Sequence, residues 1–484
     1  MIHFRESRLS AWEQRKQKGR PEFRSIITKF GIRFPVKCFF FRVKCLPFEK
    51  IILRMKQRTY YYITGTSQTG YQTQKVNFES EDLYDKEIIT LAFHISELHN
   101  ADKILKMFGL RDDTNYFYDQ CRSVISVSES HQAEGGSSGF AFQAYFHNFP
   151  ESVIHVNDRA IVVVSLEPKD ETGANGLKDY WLVGYIHANI FDLRDKDGSL
   201  HEGFYYNMLR ISERSENGRK VYRRKKIFTM IFSVLHSLVG VYGVHFAYAS
   251  MGKENKAIHD ALVLNSKTHK KHFETFPVRT NSVLNKFYGS KSAAAKLIDI
   301  TDNTDKLKQL YKMLQRQKQD YVFNSVHSEE LFLRLVDNIK KYSKTSKVYM
   351  LPDANGNIEA AGIAVNWGDY FALTLDNPKG FFKFLASLKL TDRLLYPIHL
   401  VGSVSGVQTL LKGMASKYLK EHKVYLSIIN SYDADQYAAV KKGFLHDDYI
   451  FFIITDRLDH FIRLKEESKS PDGHVRFFID NPIL

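Results

Sequence analysis

Residues 221–249 read VYRRKKIFTMIFSVLHSLVGVYGVHFAYA, and this stretch predicts how the middle of the chain folds. Four consecutive cations (223–226) precede an apolar run whose members recur at the spacing of an α-helix. Gly240 and Gly243 interrupt that pattern, and residues 244–249 then have the composition of a buried strand. The sequence therefore predicts a helix that begins at a basic cluster and leads into a buried strand.

The start of this helix has the chemistry of a polyanion site. The first N–H groups of a helix have no partner within it, and the helix dipole is positive there. With four cationic side chains added, backbone and side chains together would hold a pyrophosphate. A solvated helix end remains a second interpretation. A membrane span is a third, because the run 227–249 is nearly long enough, although Ser233, His236, Ser237 and His245 argue against it.

The order strand, basic loop, helix, strand and short helix resembles the core of the GNAT superfamily of acyl-CoA N-acyltransferases. In that family the loop carries Arg/Gln-x-x-Gly-x-Gly/Ala, and one version reads aromatic-Arg-Gly-Lys-Gly-Ile-Gly. Four residues fit that version: Tyr222, Arg223, Lys225 and Ile227. Arg224, Lys226 and Phe228 stand where that version has glycines, which let the backbone approach phosphates closely. The residues that the resemblance assigns to cofactor binding are Tyr222, Arg223, Arg224, Lys225, Lys226, Ile227 and Asn255.

The same order of elements occurs twice, so the resemblance covers roughly residues 59–460 as two GNAT-like units in tandem. The predicted fold class is mixed α/β, with two three-layer domains. We expect a basic extension over 1–58, a first domain over 59–290 and a second over 291–484, and refer to the two domains as the first and second halves. The second half has a small-residue loop at 402–406 without cations. We therefore expect the acyl-CoA site in the first half and a degenerate second half.

The resemblance also implies a mechanism, in which an amine attacks the thioester directly in a gap between two splayed strands. A base takes the amine proton, and an acid protonates the leaving thiolate. Candidate bases are Glu202 and Glu213, which flank the strand before the basic loop, and the candidate acid is Tyr248 on the strand after the helix. Surface or turn carboxylates and a core tyrosine are the simpler interpretations. His187 and His245 lie on strand-like runs, where core histidines are common.

Composition limits the class of protein and its partners. The chain has 484 residues, of which 44% are hydrophobic and 25% charged, as in ordinary globular proteins. A net charge of +15 and a pI near 9.3 favour acidic partners, namely nucleic acid, anionic lipid or a phosphate-rich cofactor. The 3 Cys and 19 His show no disulfide framework and no metal spacing. We therefore expect no metal and a reducing, cytoplasmic setting.

The function that these features favour is an acyl-CoA-dependent N-acyltransferase, most simply an acetyltransferase, acting on an amine-bearing small molecule or peptide. Its co-substrate would be acetyl-CoA or another acyl-CoA. One alternative is a catalytically inactive GNAT-like protein that binds nucleic acid or regulates, with residues 219–226 and 267–271 as its basic footprint. A second is a peripheral membrane enzyme for long acyl chains, with the same basic face on anionic lipid and no transmembrane span.

Local patterns predict further elements. Ser80 as an N-cap and a recurring apolar face predict a helix over 80–98. Ser328 and the acids after it predict a helix start, and Asn355-Gly356 predicts a hairpin turn. Residues 433–442 read as a helix. The basic extension has three interpretations: an arm that touches nucleic acid or lipid, a small packed helical piece, or an artefact of start assignment.

Overall fold

The structure is a computed structural model, and all the residues that it describes lie within one compact unit, Arg54–Leu484. The described residues are 56–80, 87–125, 141–146, 149–154, 159–173, 175–194, 200–212, 215–216, 219–220, 224–241, 244–252, 256–318, 324–325, 328–376, 387, 393–431 and 445–467. Most of the predicted basic extension and the helix predicted over 433–442 lie outside them.

Strands make up most of the described chain. In the first half they are β1 (Lys56–Thr66), β2 (Gly70–Ser80), β3 (Ile89–His94), β4 (Ala141–Phe146), β5 (Ala160–Thr172), β6 (Lys178–Arg194), β7 (Leu200–Ile211), β8 (Ser215–Glu216), β9 (Arg219–Lys220), β10 (Phe246–Gly252) and β11 (His272–Leu284). In the second half they are β12 (Ile298–Asp299), β13 (Asn324–Ser325), β14 (Lys347–Pro352), β15 (Ile358–Asn366), β16 (Phe371–Asp376), β17 (Leu394–Gly402), β18 (Leu426–Ser431) and β19 (Leu445–Thr455).

Helices lie between these strands in both halves. Up to β11 they are α1 (Ala101–Met107), α2 (Thr114–Ile125), α3 (Glu151–Ile154), α4 (Arg224–Val241) and α5 (Lys256–Thr268). After β11 they are α6 (Asn285–Tyr288), α7 (Lys291–Lys296), α8 (Thr304–Lys318), α9 (Glu329–Tyr342), α10 (Val404–His422) and α11 (Leu458–Glu467). Within the described residues, no helix is long and apolar enough to cross a membrane.

One main sheet runs through both halves. Its strand order is β12–β14–β15–β17–β18–β11–β19–β10–β7–β6–β5–β3–β1–β2, with β13 paired to β6. Two hydrophobic clusters lie on the first half of this sheet, one shared with α4 and one with α1 and α2. Two more lie on the second half, one shared with α8 and α9 and one with α10. The predicted mixed α/β fold class, with helices on both faces of a sheet, is confirmed.

At the centre of this sheet, strands from the two halves alternate. β11, from the first half, pairs antiparallel with β18 and with β19, which both come from the second half. β19 pairs in turn with β10 of the first half. Backbone hydrogen bonds therefore join the two halves into a continuous sheet, and the division of domains at residue 290 stays a prediction.

Most of the local predictions agree with the structure, and one is wrong. The apolar run 227–239 lies in α4, and the Asn355-Gly356 turn joins β14 to β15, with Gly356 at φ +79°. Ser328 accepts a hydrogen bond from the Leu331 N–H at 3.1 Å and caps α9. The helix predicted over 80–98 is instead the end of β2, then β3 and a 3₁₀ turn. β3 is buried on both faces, so its consecutive apolar residues fall at helical spacing by coincidence.

Polar residues on α4 explain why this apolar helix packs inside a globular protein. The hydroxyl of Ser233 donates to Asn265 Oδ1 on α5 at 2.6 Å. Nδ1–H of His236 donates to the Phe232 carbonyl at 2.8 Å, and its Nε2 accepts from the Ser266 hydroxyl at 3.1 Å. Both residues on α4 are buried, and each of these polar groups finds a partner, either on α5 or within α4 itself.

His236 is expected to make the fold sensitive to acid. Burial lowers the pKa of His236 to about 3, below its ordinary value of 6.5. As the pH falls below 6.5, the imidazole of His236 takes up a proton in the unfolded chain but not in the folded one. The free energy of unfolding is therefore unaffected by this group above pH 6.5 and falls towards pH 3 by about 1.4 kcal/mol per pH unit. Urea unfolding of His236→Gln between pH 7 and pH 4 should show a shallower loss than the parent, with the exposed His99→Gln as control. Equal slopes in all three would contradict the assignment.

Candidate functional site

β7 and β10 form a parallel pair that separates soon after it begins. Only three residue pairs join them within the described strands, and the last is Tyr205 with Tyr248. Beyond that point β7 continues to Ile211 on β6, and β10 continues to Gly252 on β19. The two strands therefore diverge towards their carboxyl ends while each stays paired on its other side. We call the gap between residues 206–211 and 249–252 the slot.

A β-bulge lies on the β7 side of the slot. Tyr185 and His187 of β6 pair with Arg210 and Asn207 of β7, so two steps along β6 correspond to three along β7. The extra residue on β7 falls at 208–209. A bulge bends its strand and leaves backbone groups unpaired within the ladder. The bulge therefore helps to turn β7 away from β10.

Aromatic rings fill the closed end of the slot. The ring centroids of Tyr205 and Tyr248 are 5.3 Å apart, and Phe191 lies 6.2 Å from Tyr248 and 6.4 Å from Tyr205. Tyr248 is buried, and burial raises the pKa of its phenol well above the ordinary value of 10.0. Its hydroxyl therefore keeps its proton at neutral and moderately alkaline pH. The structure places the predicted acid where the two strands part.

The helix start predicted to hold an anion also belongs to this region by topology. α4 connects β7 to the parallel strand β10, so it must run back along the sheet from the carboxyl end of β7. Its amino end accordingly lies on the side to which the slot opens, as ligand sites do in such crossovers. Lys225, Lys226 and Ile227 lie in its first turns and Arg224 at its first position. The short ribbon β8–β9 lengthens the connection from β7.

Four predicted site residues, Glu213, Tyr222, Arg223 and Asn255, lie outside the described residues. Glu202 is described, and the structure does not bring it to the slot. It precedes Gly203 at the paired end, and its carboxylate accepts from Arg159 at 2.9 Å. Along the extended strand β7, Glu202 lies about 13 Å from Tyr206, the first residue of the slot.

The two histidines on these strands differ in their surroundings. His187 is buried beside Tyr185, whose hydroxyl donates to Nε2, and burial lowers the pKa of His187 to about 3. It is a neutral, hydrogen-bonded core histidine. His245 is partly exposed, with Nδ1 at 3.0 Å from Asp456 and Nε2 at 2.6 Å from Arg457. It therefore links the start of β10 to the residues after β19.

The second half contains a similar pair of parallel strands. β17 and β18 are joined by two residue pairs within their described lengths, Leu394 with Leu426 and Leu395 with Ser427. β17 also has a bulge where it pairs with β15, because three steps along β17 correspond to two along β15. His399 lies at this bulge and has φ +51°. α10 connects the two parallel strands as α4 does in the first half. The sheet therefore shows the same separation of strands twice.

Comparison with known proteins finds similarity in solved structures, at low sequence identity. No protein-family model matches the sequence, and no curated protein matches it either. Yeast N-myristoyltransferase with bound myristoyl-CoA is a similar structure, with TM-score 0.43, 11% identity, and 69% of this chain and 79% of that chain covered. A probable N-acyltransferase from Enterococcus faecalis has TM-score 0.37 and 10% identity, over 64% of this chain and 66% of that chain.

A third similar structure is the glucosamine N-acetyltransferase region of a fungal multi-domain β-N-acetylglucosaminidase. It has TM-score 0.41 and 12% identity, over 77% of this chain and 38% of that chain. In the chain itself, a parallel pair separates beside a bulge, a helix crosses between its strands, and an antiparallel strand follows on the far side. This arrangement of elements agrees with the one expected from the sequence resemblance to the GNAT superfamily.

The glycines of the second half have a structural explanation. Gly402 has φ +129°, and a Cβ built on it would lie 2.5 Å from the Glu359 carbonyl oxygen. A Cβ on Gly406 would lie 3.1 Å from Ala360 Cβ. Ser403 accepts from the Gly406 N–H at 3.1 Å and caps α10. The small residues at 402–406 therefore let the loop approach β15, and no ligand is needed to explain them.

Sequence reasoning missed two features that shape the slot, the bulge at 208–209 and the backing of β10 by β19. Neither has a sequence signal of its own, because both depend on pairing between strands. In the described part of the chain, no group of three or more His, Cys, Asp or Glu is arranged to hold a metal.

Proposed function

We propose that this protein transfers an acyl group from an acyl-CoA to the amine of a small molecule or peptide, in the slot between β7 and β10. The observation that carries the proposal is the separation of these strands after Tyr205 and Tyr248. Beyond these residues the described part of β7 pairs only with β6, and that of β10 pairs only with β19. The backbone N–H and C=O groups on the facing edges of β7 and β10 therefore face a gap. An extended amide-bearing chain such as pantetheine satisfies such groups as a strand would.

The diphosphate of the cofactor would meet the amino end of α4. Topology supports this, because that end lies on the side to which the slot opens. Unpaired N–H groups, the helix dipole and the cations of residues 223–226 then act on the same anion. We propose that residues 222–227 and Asn255 supply this part of the site, and that cationic side chains take the place of a glycine-lined cradle.

In the reaction, the amine nitrogen forms a bond to the thioester carbon, and the C–S bond of the tetrahedral intermediate then breaks. Backbone N–H groups at the bulge of β7 would stabilise the oxyanion. The Tyr248 hydroxyl would donate a hydrogen bond to the leaving thiolate, which suits a phenol that keeps its proton. Glu213, two residues beyond the end of β7 in the sequence, is the carboxylate that we propose as the base.

We propose acetyl-CoA as the first co-substrate to test. The rings of Phe191, Tyr205 and Tyr248 occupy the closed end of the slot, and this favours a short acyl group. The thermal unfolding of the full chain would be followed with acetyl-, butyryl- and palmitoyl-CoA, free CoA and ATP. We expect acetyl-CoA at about 100 times its Kd to stabilise the fold by about 2.7 kcal/mol, seen as a rise of a few degrees in Tm.

The same panel separates the alternatives. A larger rise with palmitoyl-CoA than with acetyl-CoA would replace the acetyltransferase by a long-chain acyltransferase. No rise with any CoA thioester, together with salt-sensitive binding of DNA or RNA, would contradict acyl transfer and favour an inactive, nucleic-acid-binding protein. ATP controls for diphosphate binding in general, because a rise with ATP alone would assign the basic cluster to a nucleotide.

A further inference from the structure

A short helical segment, α6 and α7, lies along one side of α10 at some distance in sequence from the slot. The Asn285 N–H donates to the Tyr425 carbonyl at 2.8 Å, and the Ser290 N–H donates to the Lys412 carbonyl at 3.0 Å. A Cβ on Gly413 would meet Leu297 Cδ1 at 2.7 Å. The segment is therefore fixed to α10 at Lys412 and Gly413 and to Tyr425 just after that helix.

Phe287 projects from this fixed segment into solvent. It is 75% exposed, whereas the next most exposed large hydrophobic residue of the described chain, Met107, is 46% exposed. Its neighbours Asn285 and Tyr288 are buried and half-buried, so the segment is packed, and Phe287 is an aromatic side chain that it exposes.

Lysines far outnumber acids in the segment that carries this ring and in the stretch that adjoins it. The segment 285–297 contains Lys286, Lys291 and Lys296 and no Asp or Glu. The adjoining stretch 412–423 adds four lysines and one acid, Glu421, which lies 3.7 Å from Lys417. Seven lysines against one glutamate give a local charge of +6. Within the described residues, no carboxylate forms an ion pair with the other six lysines.

Five of these lysines lie on the segment itself or on the part of α10 that contacts it. Ala293 and Leu297 turn towards α10 and are buried, which leaves Lys291 and Lys296 exposed on the outer side of α7. A Cβ on Gly289 would meet the Ser416 backbone, and Asn285 donates its side-chain N–H to the Val424 carbonyl. The part of α10 between these two contacts carries Lys420, which therefore lies alongside α6. We call Lys286, Phe287, Lys291, Lys296, Lys412 and Lys420 the basic aromatic face.

We propose that the basic aromatic face docks the protein on an anionic lipid bilayer. Lysine ammonium groups are attracted to the phosphates and carboxylates of anionic lipids, and a single ring can enter the boundary between headgroups and acyl chains. A site for single-stranded nucleic acid would present successive aromatic platforms along a groove. This face has one protruding ring with cations around it, and that arrangement matches a bilayer surface.

This proposal does not rest on the proposed function. The basic aromatic face is built from residues 285–296 and 412–420, and the slot is built from β7 and β10. A protein that failed to bind any CoA thioester could still bind vesicles, and an acyltransferase could fail to bind them. The vesicle experiment below therefore succeeds or fails independently of the thermal panel.

The test is flotation of the full chain with vesicles of phosphatidylcholine containing about a third phosphatidylserine. We expect binding that weakens at high salt and is absent with phosphatidylcholine alone. Lys286→Glu/Lys291→Glu should lower the partition coefficient by at least about 30-fold, and Phe287→Ala by about tenfold. Phe287→Trp should add a fluorescence signal that brominated lipids quench.

A matched control carries the same change of charge elsewhere. Lys75, on the edge strand β2, and Lys312, on α8, are both exposed, so Lys75→Glu/Lys312→Glu changes the net charge equally. This control should bind vesicles within a factor of about three of the parent. The proposal would be overturned if both charge variants lost vesicle binding equally, or if the parent bound neutral and anionic vesicles equally. It would also be overturned if the parent bound an RNA homopolymer and no vesicles, and Lys286→Glu/Lys291→Glu abolished that RNA binding.

Discussion

Reversing the charge of Arg223 and Lys225 should weaken acetyl-CoA binding by at least about 100-fold, measured by calorimetry on the double variant Arg223→Glu/Lys225→Glu. A hydrogen bond to a charged group contributes about 1.5–3 kcal/mol, so the loss of two such bonds already exceeds this factor. Introduced carboxylates would also oppose the diphosphate and the favourable end of the helix dipole. We expect the affinity for acetyl-CoA to depend on this cluster more than in a glycine-lined loop, because Arg224, Lys226 and Phe228 occupy three expected glycine positions.

A matched control distinguishes the local effect from the change in net charge. Lys267 and Lys270, at the end of α5 and in the turn after it, are exposed, and their double reversal to Glu should leave affinity within a factor of about three. Unchanged affinity in the Arg223/Lys225 variant would move the site to the second half. In that case Ser405→Asp, at the exposed start of α10, should weaken binding, because an added carboxylate there repels a diphosphate.

Tyr248→Phe should lower kcat by about 100-fold or more while the affinity for acetyl-CoA changes little. The substitution keeps the ring that packs on Tyr205 and Phe191 and removes only the hydroxyl. If that hydroxyl stabilises the leaving thiolate, the loss appears in the chemical step. Because burial raises the pKa of Tyr248 well above 10.0, ionisation of this phenol should not produce a falling limb of the parent pH profile below pH 10.

The measurement is the release of CoA thiol with the amine that gives turnover. Tyr418→Phe, in the second half, is the control, because its hydroxyl also lies in the core and donates to the Thr345 carbonyl at 2.7 Å. That change should cost about 1 kcal/mol of stability and leave kcat within a few-fold. A Tyr248→Phe enzyme as active as this control would show that Tyr248 is a core tyrosine and that another group assists the leaving thiolate.

The sequence predicted those parts of the fold that short-range patterns determine. α4 and β10 follow from a helical apolar period that two glycines end, and the β14–β15 hairpin follows from Asn355-Gly356. The edge strand β2 was missed, because both of its faces are largely exposed and polar, so no alternation appears. The helix predicted over 80–98 was wrong for the opposite reason, since β3 is buried on both faces.

The candidate site divides in the same way. Tyr248 was placed correctly on the strand after the helix, because that strand has a strong local signal. Glu202 could not be positioned, because its distance from the slot depends on which residues of β7 pair with β10. The bulge at 208–209 and the insertion of β19 depend on register between strands far apart in sequence. Such pairings leave no trace in a local window of residues.

The position of β19 has a consequence for the order in which the protein can be completed. This strand comes near the end of the chain, yet it supports β10, one wall of the slot, along seven residue pairs. A nascent polypeptide must therefore release residues 445–455 from the ribosome before that wall has both of its neighbours. Until then β10 keeps an unpaired edge that other chains can join. The first half can therefore complete its folding only after β19 of the second half has been synthesised.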